Sequence, residues 1–210
     1  MEHSITPSTA PAAPVVLLGL SHAGKTTVGK LLAARLHGLF YDTDDIITQR
    51  TGCTPRQLCR QAGLAALHTA EAAALSECAR LRHGTRGTAP NRTAHDAEAQ
   101  PVVIASGGGI CDNQDAAAAL SAIPHRLFLY TEEAALFSRL TKDALAAGFY
   151  PAFLGFLPAA QQAEASERFA ALYARRTARY RALCTACIDT RGLNCELIAD
   201  RLFAELTDDA

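Results

Sequence analysis

Short apolar runs alternate with longer amphipathic stretches along most of this chain. Val15 to Leu18 is a continuous apolar run of strand length. Val28, Leu31, Leu32 and Leu36 then recur at helical spacing, which predicts a helix over 27–37. A second short strand is predicted at 39–41, followed by a short helix broken at Gly52. Thr54 and Pro55 read as an N-cap and first helical position, opening a helix to about residue 62. The Ala-rich stretch 64–81 predicts another, longer helix. Further on, strands are expected at 101–105, 126–130 and 186–189. Helices are expected at 112–122, capped by Asp112 or Asn113, at 131–140, capped by Thr131, and at 160–183 and 194–206. Residues 1–13 are rich in Ser, Thr, Pro and Ala and read as a disordered tail. Residues 82–100 lack periodicity and read as an extra exposed loop. Residues 144–157 are apolar and aromatic, interrupted by Gly and Pro, and the stretch of approximately 142–160 around them reads as a lid.

Strand and helix alternate five times. That order requires right-handed crossovers, so the fold expected is a three-layer α/β/α unit over 14–210. Its centre is a five-stranded parallel sheet with helices on both faces. Ligands of such sheets bind beyond the carboxyl ends of the strands. Three unusual clusters fall at such ends and are expected to converge in space.

The first is Gly19-Leu-Ser-His-Ala-Gly-Lys-Thr26, which fits G-x-x-x-x-G-K-[ST] between a strand and a helix. Inward-facing backbone N–H groups and a helix N-terminus form a cradle for phosphate. Lys25 is placed to reach the β- and γ-phosphates, and the Thr26 hydroxyl to bind Mg²⁺. The second cluster is Asp42 and Asp44, two apart at the end of the second strand. At strand periodicity both face the phosphate loop, one suited to Mg²⁺ and the other to taking a hydroxyl proton. The bland alternative is a turn-and-cap pair of aspartates. The third is Gly107-Gly108-Gly109, which allows backbone to approach a ligand closely. Arg175, Arg176, Arg179 and Arg181 crowd one late helix, where solvation or dipole compensation competes with anion binding.

Composition narrows the classes. The chain has 210 residues, 49% of them hydrophobic, which is ample for a core. A net charge of −1 speaks against nucleic acid as partner, and no apolar run has the length of a membrane span. The N-terminus lacks the charged and apolar regions of a secretory signal, so the expected location is the cytoplasm. Cys184-Thr-Ala-Cys187 is a solitary C-x-x-C without a second pair, so no metal or redox role is expected of it.

The order of motifs resembles the shikimate kinase family over roughly Val15 to Leu206. Its carriers are G-x-x-x-x-G-K-T, F-Y-D-T-D-D-I-I-x-x-R-T-G, V-I-A-S-G-G-G-I, and R-x-x-R-Y-R before a final I-D-T. The resemblance implies a nucleoside-monophosphate-kinase-like P-loop fold and ATP-dependent phosphorylation of the shikimate 3-hydroxyl by a monomer. It implies that His22, Ala23, Gly24, Lys25, Thr26 and Thr27 bind ATP, with Arg139 as a match to an adenine-stacking arginine. Thr26 and Asp42 would organise Mg²⁺. Lys25 and Asp44 would be catalytic, and Asp44, Gly107, Gly108, Gly109 and Arg176 would bind the acceptor. Three positions depart from the family. His22 stands where Gly is usual. His68 stands where an arginine clamps the acceptor carboxylate, and is expected beside Arg176 in the same pocket. Tyr150 stands where the lid supplies an arginine to the transferring phosphoryl group. Two alternatives stay open: another small acceptor such as a gluconate-like polyol or a nucleotide, or a nucleotide-binding protein with little turnover.

Overall fold

The computed structural model describes Pro11, residues 13–80 and residues 100–208. Most of the tail and of the 82–100 loop expected from the sequence lies outside the described residues, including Arg82, Arg86 and Arg92. Five strands, β1 (Val15–Leu18), β2 (Leu39–Asp42), β3 (Val102–Ala105), β4 (His125–Tyr130) and β5 (Ala186–Asp189), form one sheet in the order β2-β3-β1-β4-β5. All pairings are parallel. The helices are α1 (Lys25–Arg35), α2 (Thr43–Thr51), α3 (Pro55–Arg80), α4 (Gln114–Leu120), α5 (Glu133–Ala147), α6 (Gln162–Leu183) and α7 (Cys195–Asp208).

Strand alternation divides the core into two. Val15 and Leu17, with Val103, Leu127 and Ile188, pack against α1 and α7. Val16 and Leu18, with Val102, Ile104 and Phe128, pack against α3, α4, α5 and α6. All four β1 side chains are fully buried. Burying each stabilises by about 1.5–3 kcal/mol. A backbone hydrogen bond contributes about 0.5–1.5 kcal/mol. Side-chain burial on both faces therefore fixes β1 at the centre.

Local chemistry sets the boundaries. Thr54 and Gln57 form a reciprocal capping box, with Gln57 Oε1 accepting from Thr54 N at 2.9 Å and Thr54 Oγ1 from Gln57 N at 3.3 Å. The break expected between residues 62 and 64 is a kink within α3, where Gly63 adopts φ 86° and ψ 173°. Asn113, not Asp112, caps α4, its Oδ1 accepting from Ala116 N at 3.2 Å. Thr131 does not cap α5, which begins at Glu133. Its hydroxyl instead bonds that of Thr190 at 2.9 Å, tying the end of β4 to the end of β5.

Candidate active site

The phosphate loop leaves the buried end of β1 and enters α1 through Gly24, which adopts a left-handed φ of 87°. Lys25 is only 8% exposed. Its ammonium donates to the carbonyls of Gly19 and Leu20 at 2.9 and 2.8 Å. Burial lowers its pKa to about 8, against the opposing pull of Asp44 and Asp42. His22, where the resembling family favours Gly, has φ 66°. That left-handed conformation explains the preference, since a Cβ there costs about 1–2 kcal/mol. Around this position Arg139 donates to the His22 carbonyl at 2.7 Å, and Asp143 lies 3.5 Å from Nδ1. Burial lowers the His22 pKa, with Lys25, Arg139 and Arg56 adding to it and Asp143 opposing.

Asp42 caps a helix and also faces the phosphate loop. One carboxylate oxygen accepts the Thr26 hydroxyl at 2.7 Å, and the other caps α2 by accepting from Asp44 N at 3.0 Å. The strand ends at Asp42, so Asp44 belongs to the first turn of α2 rather than to β2. Helix geometry, not strand alternation, brings it to the cleft. Its side chain faces open space, yet the cleft walls shield the carboxylate from bulk water. That desolvation, reinforced by Asp42 and Glu71 and opposed by Lys25, raises its pKa to about 6. A base near that value is better matched to proton transfer at neutral pH than an ordinary aspartate.

The glycine triplet is where the three clusters meet, and each glycine answers to a different neighbour. Gly107 donates its N–H to Thr43 Oγ1 at 3.0 Å, and a Cβ on it would lie 3.2 Å from Asp44 Oδ1. A Cβ on Gly108 would lie 2.5 Å from the backbone nitrogen of Ser21 in the phosphate loop. A Cβ on Gly109 would lie 3.0 Å from the guanidinium of Arg176. Close approach, more than flexibility, requires three glycines in succession.

The far wall is built on Asp112, which receives Arg175, Arg176 and Arg179 of α6 together. Burial pushes the Asp112 carboxyl up, but the three guanidinium groups outweigh it and hold it below the usual range. Arg176 is buried; it donates Nε to Asp112 at 2.9 Å and Nη1 to the Gly108 carbonyl at 3.1 Å. Phe153 lies across its guanidinium, 5.4 Å away at the ring centroid. His68 and Glu71, one turn apart on α3, line the same cavity as Arg176. Glu71 is buried and accepts Asn113 Nδ2 at 3.1 Å. Burial raises its pKa, while Asn113, His68 and Arg176 hold the rise back.

A segment between α5 and α6 roofs this cavity of about 790 Å³ with Pro151, Ala152, Phe153 and Phe156. Tyr150 does not face the cavity. It is fully buried, stacks on Phe137 at 6.2 Å and shares a 3.2 Å hydrogen bond with Thr141. Its N–H donates to the Leu157 carbonyl at 2.7 Å, so it anchors the roof to the core. Sequence reasoning missed Glu71, Asp112, Ser21 and Arg56 among the cavity residues. The i, i+3 spacing of Glu71 from His68 was a usable signal.

A phosphate loop on β1, an oxygen pair beside it and a carboxylate at a cavity lined by Arg175, Arg176 and Arg179 define a P-loop small-molecule kinase. The family model described as "Shikimate kinase" matches residues 21–85. A shikimate kinase of Oleidesulfovibrio alaskensis is 31% identical over 168 residues, 80% of this chain and 82% of that protein. One from Syntrophus aciditrophicus is 28% identical over 189 residues, 90% of this chain and 88% of its own. Among solved structures, the fold matches shikimate kinase from Acinetobacter baumannii in complex with shikimate. The TM-score is 0.73 at 22% identity, covering 95% of this chain and 98% of that one. The chain belongs to the shikimate kinase family, ATP-dependent kinases that pass a phosphoryl group to a hydroxyl.

Proposed function

We propose that this protein transfers the γ-phosphoryl group of ATP to the 3-hydroxyl of shikimate, giving shikimate 3-phosphate. The observation that carries this reading is the glycine triplet. It joins the phosphate loop, the Asp44 carboxylate and the Arg176 guanidinium around a single cavity. His22 to Thr27 hold the ATP phosphates, with Lys25 on the β- and γ-phosphates and Arg139 toward the adenine side. Asp44 orients the acceptor hydroxyl and takes its proton, while Gly107, Gly108 and Gly109 shape the floor. Arg176, with His68 beside it, binds the acceptor carboxylate.

The Thr26–Asp42 pair offers two hard oxygen donors side by side, which suits Mg²⁺. Among the described residues no group of three or more His, Cys, Asp or Glu side chains gathers to hold an ion unaided. An ion shared with nucleotide phosphates needs only the pair. When bound, Mg²⁺ would neutralise charge on the transferring phosphate. The segment between α5 and α6, within the approximately 142–160 stretch expected as a lid, acts as the lid of one kinase unit spanning 14–210; residues 142–147 instead continue α5. Among the described residues no helix is long and apolar enough to cross a membrane. We place the protein in the cytoplasm as a monomer without nucleic-acid partners.

The test is shikimate-dependent ADP release at saturating MgATP, with a gluconate-like polyol and a nucleoside monophosphate as alternative acceptors. Release that depends on shikimate alone supports the reading. Release with another acceptor, or ATP binding without release on any, overturns it.

A further inference from the structure

We propose that Arg56, at the start of α3, supplies the positive charge that stabilises the phosphoryl group in transit. The inference rests on the kinase reading of this cavity. During transfer the acceptor oxygen bonds to the γ-phosphorus, and the bond from that phosphorus to the β,γ-bridging oxygen breaks. The electron pair of that bond leaves with ADP, and the hydroxyl proton passes to the Asp44 carboxylate. Charge spreads over the three oxygens of the group in flight, and a guanidinium aimed at them accelerates such reactions by roughly 10³–10⁵-fold.

The roof of the cavity does not carry that charge. No charged residue occurs from Ala144 to Ala160, and Tyr150 is sealed in the core. Most arginines around the cavity have other engagements. Arg175, Arg176 and Arg179 converge on Asp112. Arg139 is bonded to the His22 carbonyl. Arg56 lines the cavity together with Ser21 of the phosphate loop and with Asp44. Among the described residues it forms no ion pair with a carboxylate. Its guanidinium instead rests over the Phe149 ring, 5.3 Å from the centroid. A guanidinium held by an aromatic face keeps its N–H donors for an anion. Its charge already reaches the phosphate loop, since it is one of the groups that depress His22. Phe149 belongs to the segment that roofs the cavity and Arg56 to α3, so the roof segment positions a cation that it does not itself contain.

The experiment compares the full-length protein with Arg56→Gln, Arg56→Lys and Phe149→Leu, in MgATP with and without shikimate. Arg56→Gln should lower kcat by about 10²–10³-fold, the range seen when one transition-state donor is removed. KM for ATP and for shikimate should stay within about threefold, because the interaction is made only in the transition state. Arg56→Lys should recover part of the loss, and Phe149→Leu should show an intermediate one, since it keeps the charge and removes its rest. The slow hydrolysis of ATP without acceptor should fall in parallel, because the same phosphoryl group is involved. Unchanged kcat and hydrolysis in Arg56→Gln overturn the proposal, as does a raised shikimate KM at unchanged kcat. If the unaltered protein shows no response to shikimate, the acceptor assignment fails. Hydrolysis then decides Arg56 independently: a fall in Arg56→Gln sustains its role, and no fall removes it.

Discussion

The backbone nitrogen of Ser21 lies 2.5 Å from where a Cβ on Gly108 would sit. The phosphate loop therefore rests directly on the middle glycine of the triplet, backbone against backbone. Gly108→Ala should displace the loop, costing about 1–3 kcal/mol of stability as in other overpacked sites and raising the Kd for ATP. Gly109→Ala meets the Arg176 guanidinium instead, at 3.0 Å. Its main effect should fall on the shikimate KM. Calorimetric ATP titration and steady-state kinetics on the two variants separate these outcomes; equal effects on both ligands would refute the division.

Asp44→Asn should lower kcat by about 10²–10⁴-fold, the range for a removed general base, with ATP affinity nearly unchanged. The raised pKa of about 6 sets a pH profile. Unaltered enzyme should gain kcat as pH rises through that value, when the carboxylate becomes free to accept a proton. The sign for stability is opposite. Between the ordinary aspartate value and about 6 the folded state holds the extra proton, so this group costs stability as pH rises through that window. Rates and melting temperatures from pH 4 to 8 check both.

Lys25→Met should abolish turnover and remove one component of the pH dependence of folding. Because burial lowers Lys25 from 10.5 to about 8, the unfolded chain binds the proton first as pH falls. Stability should therefore drop between about pH 10.5 and 8, by an amount on the order of 3 kcal/mol. The Met variant should lack that drop in denaturant titrations across the same range.

Tyr150→Arg tests where the roof is anchored. Sequence position suggests that arginine here would restore a missing charge. Its complete burial against Phe137 and Thr141 predicts the reverse. The variant should lose about 3 kcal/mol or more, as for an unpaired buried charge, with no gain in kcat. A folded variant with raised kcat would contradict the placement.

His68→Arg should lower the shikimate KM, because a guanidinium offers a carboxylate the bidentate contact that imidazole lacks. Glu71, one turn along the same wall, is positioned to receive the new side chain. Initial-rate kinetics at varied shikimate check it, and an unchanged KM would remove position 68 from the acceptor contacts.

Much of this architecture was legible in residue pattern. The five strands, the phosphate loop and the meeting of three clusters at neighbouring strand ends followed from apolar runs and glycine spacing. The details that failed were those decided by competition in three dimensions. Asp112 reads as a cap, but three arginines more than 60 positions away claim it, leaving the cap to Asn113. Tyr150 aligns with a functional position, but Phe137 and Thr141 on α5 draw it inward. Arg56 carries no motif, and its interest arises only because the roof and α3 close on the same cavity.

The kink at Gly63 divides α3 into two parts with different duties. Arg56 stands on the part before it, while His68 and Glu71 stand on the part after it, and all three line the cavity. A Cβ on Gly63 would meet nothing within 4 Å, so the left-handed backbone of the kink, and not a close neighbour, is what favours glycine there. On the roles proposed for Arg56 and His68, phosphoryl chemistry and acceptor preference fall on different parts of α3 and are open to separate redesign. The later turns of α3 can then be rewritten for a new acceptor without touching the turn that carries Arg56.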